Sequence, residues 1–273
     1  MALTHYACTH CGGWLLWFEG KQPLSCPVCM DPRNALPENG FSFVTLAEAQ
    51  SGRTTEITRV APNLRVARET PALGLGSAGW LVSTDSGTVS IEAAGCYSDS
   101  ALSEIGSLHR IAATHPHGYG AMWQLQAHSS APVSIHRLDI PHTKAFKVTM
   151  PLDDQGHLAP SIRYRKLGGH YDGQCAFYDE EGACLFLGDA LKVDYGTSGE
   201  AVALSVHKGF HYAIPLTHSE IRRYREVAES FPFRNVATTF DYAEGLSREF
   251  VLAFYDKLLS MPLTTEPIRI DSL

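Results

Sequence analysis

The stretch RIAATHPHGYG, residues 110–120, ends a short apolar run in two histidines separated by one residue. The apolar residues predict a buried strand over 110–115. Irregular backbone beyond a strand end can direct both rings toward one point, and imidazole is the side chain that most often binds transition metals in proteins. We therefore expect His115 and His117 to form half of a metal site.

Two glycine-containing turns farther along the chain provide the remaining candidate ligands. His170 lies in GGHYDGQ, residues 168–174, and Asp189 lies in LFLGDAL, residues 185–191. Each of these residues directly follows a glycine, where a turn is expected. Three imidazoles and one carboxylate suit Zn(II), Fe(II) or Mn(II), with room for a bound water.

Hairpins and helices around these motifs predict a β-rich domain. The predicted elements are hairpins over 79–95 and 174–191, a strand within 131–139, a short helix over 100–108, and longer helices over 215–231 and 247–260. Apolar runs bounded by turn residues favour the strands, and helical spacing of apolar residues favours the helices. Thr217 can cap the first long helix, and Glu220, three residues later, completes a capping box.

The order of these features resembles that of the metallo-β-lactamase superfamily. THPHGYG resembles its T-H-x-H-x-D-H motif, GGHYDGQ its G-H-T-P-G loop and LFLGDAL its F-x-G-D-x-L strand end, over roughly residues 55–245. The resemblance implies an α+β fold, an αββα sandwich. It also implies that His115, His117 and His170 bind a first metal, while Asp189 is the carboxylate that bridges two metals in the superfamily.

Ligands that the superfamily uses for its second metal are absent. Tyr119 and Gly120 stand where the first motif has its acid and its last histidine, and residues 235–245 hold no late histidine. The three losses together predict a mononuclear site for zinc or iron. A degenerate, metal-free fold that only binds a partner is the alternative, because a fold does not determine a function.

The missing aspartate leaves open which group handles the proton of an attacking water. Tyr119 can donate a hydrogen bond or stabilise an oxyanion, but with a free pKa of about 10 it is a poor base. The segment 205–218 is the better source of a base. The catalytic candidates are Tyr119, His207, Lys208 and His211, with His218 nearby and His142 and Lys144 as a weaker candidate rim. His207 and His211 would share one side of a helical turn; replacement metal ligands or a solvated polar loop are the other interpretations.

The first forty residues contain two C-x2-C pairs: Cys8 with Cys11, and Cys26 with Cys29. Each pair can place two thiolates on one tetrahedral metal. The segment resembles a zinc ribbon or a short rubredoxin-like module. Zinc would make it structural, and iron would make it an electron carrier. We expect zinc here, with iron as the alternative, in a module over residues 1–38 that precedes a metallo-β-lactamase-like domain over 39–273.

Composition limits the classes of partner. The chain has 273 residues, 44% of them hydrophobic, and a formal net charge of −7. The negative charge argues against nucleic-acid binding, and we see neither a membrane span nor a secretory signal. These observations predict a cytoplasmic protein with a small-molecule substrate. Cys96, Cys175 and Cys184 are expected to stay free and buried, and the resemblance allows for a homodimer.

Three functions remain open at this point. The first is a metal-dependent hydrolase acting on an ester, lactone, amide or similar bond. The second is a mononuclear iron oxidoreductase acting on a sulfur substrate, in which His115, His170 and Asp189 form the facial triad. The third is a non-catalytic binding protein. The kind and number of bound metals would separate them.

Overall fold

The structure, a computed structural model, describes residues 2–34, 36–207 and 214–273. The strands are β1 (Leu3–Cys8), β2 (Trp14–Phe18), β3 (Phe43–Thr45), β4 (Thr54–Ala61), β5 (Leu64–Thr70), β6 (Gly79–Thr84), β7 (Gly87–Ile91), β8 (Arg110–Ala112), β9 (Val133–Ser134), β10 (Gln155–Ala159), β11 (Ile162–Lys166), β12 (Cys175–Asp179), β13 (Cys184–Phe186), β14 (Lys192–Tyr195), β15 (Ala201–Ser205), β16 (Asn235–Ala237), β17 (Tyr242–Ala243) and β18 (Ile268–Arg269). The helices are α1 (Leu46–Gln50), α2 (Asp99–Ile105), α3 (Met122–Ser129), α4 (His218–Glu229) and α5 (Arg248–Leu259). None of these helices is both long enough and apolar enough to cross a bilayer.

Two six-stranded sheets form the body of the protein. Their strand orders are β4-β5-β6-β7-β8-β9 and β10-β11-β12-β13-β16-β17. Hairpins make most neighbours antiparallel, but β7-β8-β9 and β13-β16 are parallel. Parallel neighbours need a crossover connection, and α2, α3 and α4 lie in those connections. A small third sheet has the order β14-β15-β18.

Apolar side chains from both large sheets make a shared core, in which Trp80 packs edge-on against Phe186 with ring centroids 6.4 Å apart. The outer face of the first sheet packs against α2 and α3, and that of the second sheet against α4 and α5. Each sheet therefore buries both faces, which explains the nearly continuous apolar runs of its central strands. The result is the αββα sandwich that the sequence predicts.

Local signals in the sequence are confirmed. The hairpin over 79–95 forms as β6 and β7, and the one over 174–191 as β12 and β13. At the start of α4 the Glu220 amide donates to Thr217 Oγ1, and the Thr217 amide donates to a Glu220 carboxylate oxygen at 2.7 Å. Such a reciprocal cap satisfies two amides that a helix start leaves without partners.

The four-cysteine ribbon packs on the outer side of the first sheet. Its sheet has the order β2-β1-β3, so its third strand comes from beyond residue 38. Trp14 anchors it, because Nε1 of this buried side chain donates to the Gly95 carbonyl at 2.7 Å. The ribbon and the sandwich therefore share buried contacts, while the domain boundary itself stays a prediction.

The carboxyl ends of β8 and β13 approach each other at one edge of the sandwich. The amide of Cys175 donates to the Thr114 carbonyl at 2.9 Å, which ties the second sheet to the segment after β8. The amide of Leu187, after β13, donates to the Ala237 carbonyl, also at 2.9 Å. Two of the three loops that carry predicted ligands, those after β8 and β13, begin at this edge.

Candidate metal centre

Four side chains from three loops converge at this edge. Their candidate ligand atoms, His115 Nε2, His117 Nδ1, His170 Nε2 and Asp189 Oδ2, lie within 4.8 Å of one another. The distances to Asp189 Oδ2 are 3.1 Å from His115, 2.9 Å from His117 and 3.5 Å from His170. Ligands about 2.0 Å from a tetrahedral metal would lie about 3.3 Å apart, so the spacing fits a bound ion.

Buried polar atoms that lack a hydrogen bond also indicate a metal site. His115 Nε2 and Asp189 Oδ1 are buried and make no hydrogen bond to any residue that the structure describes. Leaving such atoms buried without a hydrogen bond costs free energy, and a metal ion would remove that cost. The residues present therefore fit a metal.

Local backbone geometry brings these side chains together. His115 directly precedes a 3₁₀ turn, Pro116–Gly118, which turns the chain so that His117 faces the same point. Asp189 lies in a second 3₁₀ turn after Gly188, whose φ is +54°. A Cβ atom at Gly188 would collide with Thr114 Oγ1, so only glycine lets the two loops approach this closely.

Glu92 and Thr114 support His115 on the Nδ1 side of its ring, and neither residue was predicted from the sequence. Thr114 Oγ1 donates to Glu92 Oε1 and lies 2.8 Å from Nδ1 of His115. The hydroxyl oxygen can therefore accept a hydrogen bond from Nδ1–H, which leaves Nε2 unprotonated toward the other ligands. Burial raises the pKa of Glu92 to about 8. The sequence offered one signal for Glu92, namely a carboxyl group directly after the apolar strand β7.

Electrostatics set the protonation states that a metal requires. Burial lowers the pKa of His117, and lowers that of His170 well below its usual value, which favours the neutral form of both rings. Burial opposes ionisation of Asp189, but the positive charge that His207 and His115 carry when protonated holds the pKa of its carboxyl well below the usual range, and a metal cation would act in the same sense. Neutral imidazoles and an ionised carboxylate are the forms that bind metal.

The ligand group opens into a cavity of about 190 Å³. Residues from the ribbon, the segment after it and the sandwich line this cavity: His10, Cys11, Cys29, Asn34, Leu75, His117, Asp189, His207 and Phe240. The two predicted metal groups therefore face the same small space.

Comparisons with known proteins agree on the architecture. The metallo-β-lactamase from Pontibacter korlensis superposes with a TM-score of 0.56 at 16% identity, over 74% of this chain and 99% of that one. The DIM-1 metallo-β-lactamase gives 0.55 at 11% identity, over 75% and 97%. The Flv1 flavodiiron core from Synechocystis sp. PCC6803 gives 0.52 at 13% identity, over 76% and 61%. The chain has the metallo-β-lactamase fold.

Sequence comparison adds less. No protein-family model matches the chain. The uncharacterized protein YmaE of Bacillus subtilis (strain 168) is 22% identical over 259 residues, which cover 87% of this chain and 89% of that protein. The metallo-β-lactamase fold of this chain is thus seen in its structure, and none of these proteins assigns it a reaction.

Tyr119 turns away from the cavity. Its hydroxyl donates to the Asp139 carbonyl at 3.1 Å, and its buried ring packs edge-on against Phe146. The reason is the 3₁₀ turn at Pro116–Gly118: it directs the next side chain into the core beneath the first sheet. The hydroxyl therefore makes a structural contact, and the geometry offers no support for the catalytic role predicted from the sequence.

His207 does reach the metal centre. Its Nε2 lies 3.7 Å from Asp189 Oδ1, and its ring centroid lies 5.5 Å from that of His170. Its side chain is 27% exposed, so it can meet a substrate in the cavity. Lys208 and His211 lie outside the described residues. His218 instead contacts the carbonyl oxygen of Met261 through Nε2 at 3.0 Å, which links the start of α4 to the segment just after α5.

The four-cysteine group has the spacing of a metal site. Its four sulfur atoms lie within 4.8 Å of one another, with Cys8 and Cys29 at 3.9 Å and Cys11 and Cys26 at 3.6 Å. Sulfurs about 2.3 Å from a tetrahedral metal would be about 3.8 Å apart, whereas a disulfide would be far shorter. The three scattered cysteines, Cys96, Cys175 and Cys184, are free and buried, as predicted.

Proposed function

We propose that the protein is a metal-dependent hydrolase that uses one zinc or iron ion and acts on a small ester, lactone or amide. The observation that carries this proposal is the convergence of three imidazole nitrogens and one carboxylate oxygen at the cavity. The cavity volume, about 190 Å³, is below the range of about 300–1,000 Å³ for pockets that bind drug-sized ligands. A small substrate fits it.

A metal ion in this centre would lower the pKa of a water toward about 7 and polarise a carbonyl group. The side chains of the protein handle the proton and the charge that the reaction produces. His207 accepts at Nε2 the proton that the attacking water releases, and Asp189 Oδ1, 3.7 Å away, stabilises the imidazolium that results. Leu75 and Phe240 add apolar surface to the lining of the cavity.

The proposal is tested by metal analysis together with turnover of small chromogenic esters, lactones and amides. We expect two metal ions per chain, and one after His170→Ala. His207→Gln should keep both ions and lose turnover by about 10²–10⁴-fold. His157→Gln, an exposed histidine on β10, is the matched control and should keep both. A single ion held by the cysteines, or a fully loaded protein that hydrolyses none of these compounds, would count against a hydrolase.

One observation favours a second function, that of an oxidoreductase. Cys11 and Cys29 line the same cavity as His117 and Asp189, so a redox-active ion among the cysteines would lie close to the His/Asp centre. Iron in both groups, seen by elemental analysis and a visible absorption band, would support an oxidoreductase. Zinc in both groups would support the hydrolase.

A further inference from the structure

Asn34 connects the ribbon to a ligand of the other metal centre. It lies five residues beyond Cys29, and its side chain makes three contacts. Nδ2 donates to the carbonyl oxygen of Val28 at 2.8 Å and to the hydroxyl of Tyr171 at 2.7 Å. Oδ1 lies 3.1 Å from Nε2 of His117.

These contacts determine which way round the amide lies. A backbone carbonyl can only accept a hydrogen bond, so the nitrogen of Asn34 must face Val28. The amide oxygen then faces His117 and can only accept from it. His117 must therefore carry its proton on Nε2.

The position of that proton decides what His117 can bind. A neutral imidazole has one N–H, so a proton on Nε2 leaves the lone pair on Nδ1. This Nδ1 atom lies 2.9 Å from Asp189 Oδ2 and 3.2 Å from His170 Nε2, within the ligand group. Asn34 thus stabilises the only neutral tautomer of His117 in which Nδ1 can bind a metal.

The second cysteine knuckle holds Asn34 in place. Val28 lies between Cys26 and Cys29, and the amide of Met30 donates to the Cys26 carbonyl at 2.9 Å. The amide of Asn34 donates to the Asp31 carbonyl at 3.0 Å. The geometry of Asn34 therefore depends on the knuckle, and the knuckle depends on its four-thiol group.

The same segment also contacts the loop that carries His170. The Arg33 guanidinium lies 2.6 Å from the carboxylate of Asp172, and its Cζ lies 5.5 Å from the ring centroid of Tyr171. Tyr171 is fully buried and its hydroxyl is 3.4 Å from Nε2 of His117. The ribbon thus supports two of the four ligands from outside the sandwich.

We propose that Asn34 is a positioning residue that holds His117 in its metal-binding tautomer, and that it makes the His/Asp centre depend on the metal-loaded four-cysteine ribbon. The coupling runs from the knuckle through the Val28 carbonyl and the Asn34 amide to His117. It concerns metal binding alone and holds whichever reaction the centre performs.

Two variants distinguish the role of the Asn34 side-chain oxygen from that of the rest of the Asn34 side chain. Asn34→Ala removes every contact and should weaken metal binding at the His/Asp centre by about 10–100-fold, with the four-cysteine ion retained. Asn34→Asp keeps an oxygen that can accept from His117 but loses the donor to the Val28 carbonyl, so it should restore only part of that affinity. Asn39→Ala, an exposed asparagine in the same segment, is the control and should match the wild type. Equal affinity of Asn34→Ala and the wild type, or equal weakness of the two Asn34 variants, would overturn the proposal.

The tautomer itself can be read by NMR on full-length protein with ¹⁵N-labelled histidine. We expect the His117 ring, assigned by the loss of its signals in His117→Gln, to carry its proton on Nε2 when the four-cysteine site is loaded. This preference should remain in Asn34→Asp and give way to a mixture of tautomers in Asn34→Ala. A proton on Nδ1 in the wild type would overturn the assignment. Because neither readout uses turnover, failure of the hydrolase proposal would leave both results intact.

Discussion

Removal of the Thr114 hydroxyl should weaken metal binding while the fold persists. This hydroxyl donates to Glu92 and lies 2.8 Å from Nδ1 of His115. Thr114→Val keeps the shape of the side chain and removes only its polar atom. His115 then loses the group that orients its ring, and Glu92 loses its donor.

The magnitude follows from the burial of the three groups. Thr114 is 2% exposed and Glu92 and His115 are each 1% exposed, so water cannot replace the lost contacts. Loss of a partner that orients a metal-binding histidine lowers metal affinity by about 10–100-fold, or about 1.4–2.8 kcal/mol of binding free energy. A buried polar group left without a partner also lowers the free energy of unfolding by about 1–3 kcal/mol.

Chelator competition measures the first effect, and urea unfolding of the metal-free protein measures the second. Thr114→Ser is the matched control, because serine keeps the hydroxyl; it should bind metal nearly as tightly as the wild type. If the valine variant also binds metal with wild-type affinity, then Glu92 and Thr114 do not orient His115, and the reasoning is refuted.

Two further changes test the loops around the centre. Gly188→Ala should abolish tight metal binding, because its Cβ would collide with Thr114; Gly199→Ala, which shares a positive φ but has open space around it, should lose only about 1–3 kcal/mol of stability. A second metal ion per chain in Gly188→Ala, in addition to the one on the cysteines, would contradict this. Burial raises the pKa of Asp139 to about 7, so the folded protein holds a proton on this carboxyl group that the unfolded chain releases near pH 4, and the contribution of Asp139 to stability falls as pH rises between about 4 and 7. Asp139→Asn should therefore gain stability relative to the wild type across that window, measured by urea midpoints at both ends; a constant difference would argue against a buried, protonated Asp139.

Sequence patterns predicted the features that depend on neighbouring residues. The capping box at Thr217 and Glu220 needs residues three positions apart, and each cysteine knuckle needs a pair separated by two residues. The metal-ligand candidates were recognisable because each follows a strand end or a glycine turn, where the chain leaves regular structure. Their convergence agrees with the order of motifs along the chain.

The tertiary structure decided which distant residues support those ligands. Asn34 and His117 are 83 residues apart, and Glu92 and Thr114 are 22 apart; no pattern within either segment specifies the other. Their contacts arise only when the ribbon packs on the sandwich and β7 pairs with β8. The same holds for Tyr119, whose motif position indicated the cavity but whose side chain enters the core. The sequence alone thus determined the αββα fold and its metal-ligand candidates, whereas packing between segments determined their supporting contacts, because those contacts depend on where two separately folded surfaces meet.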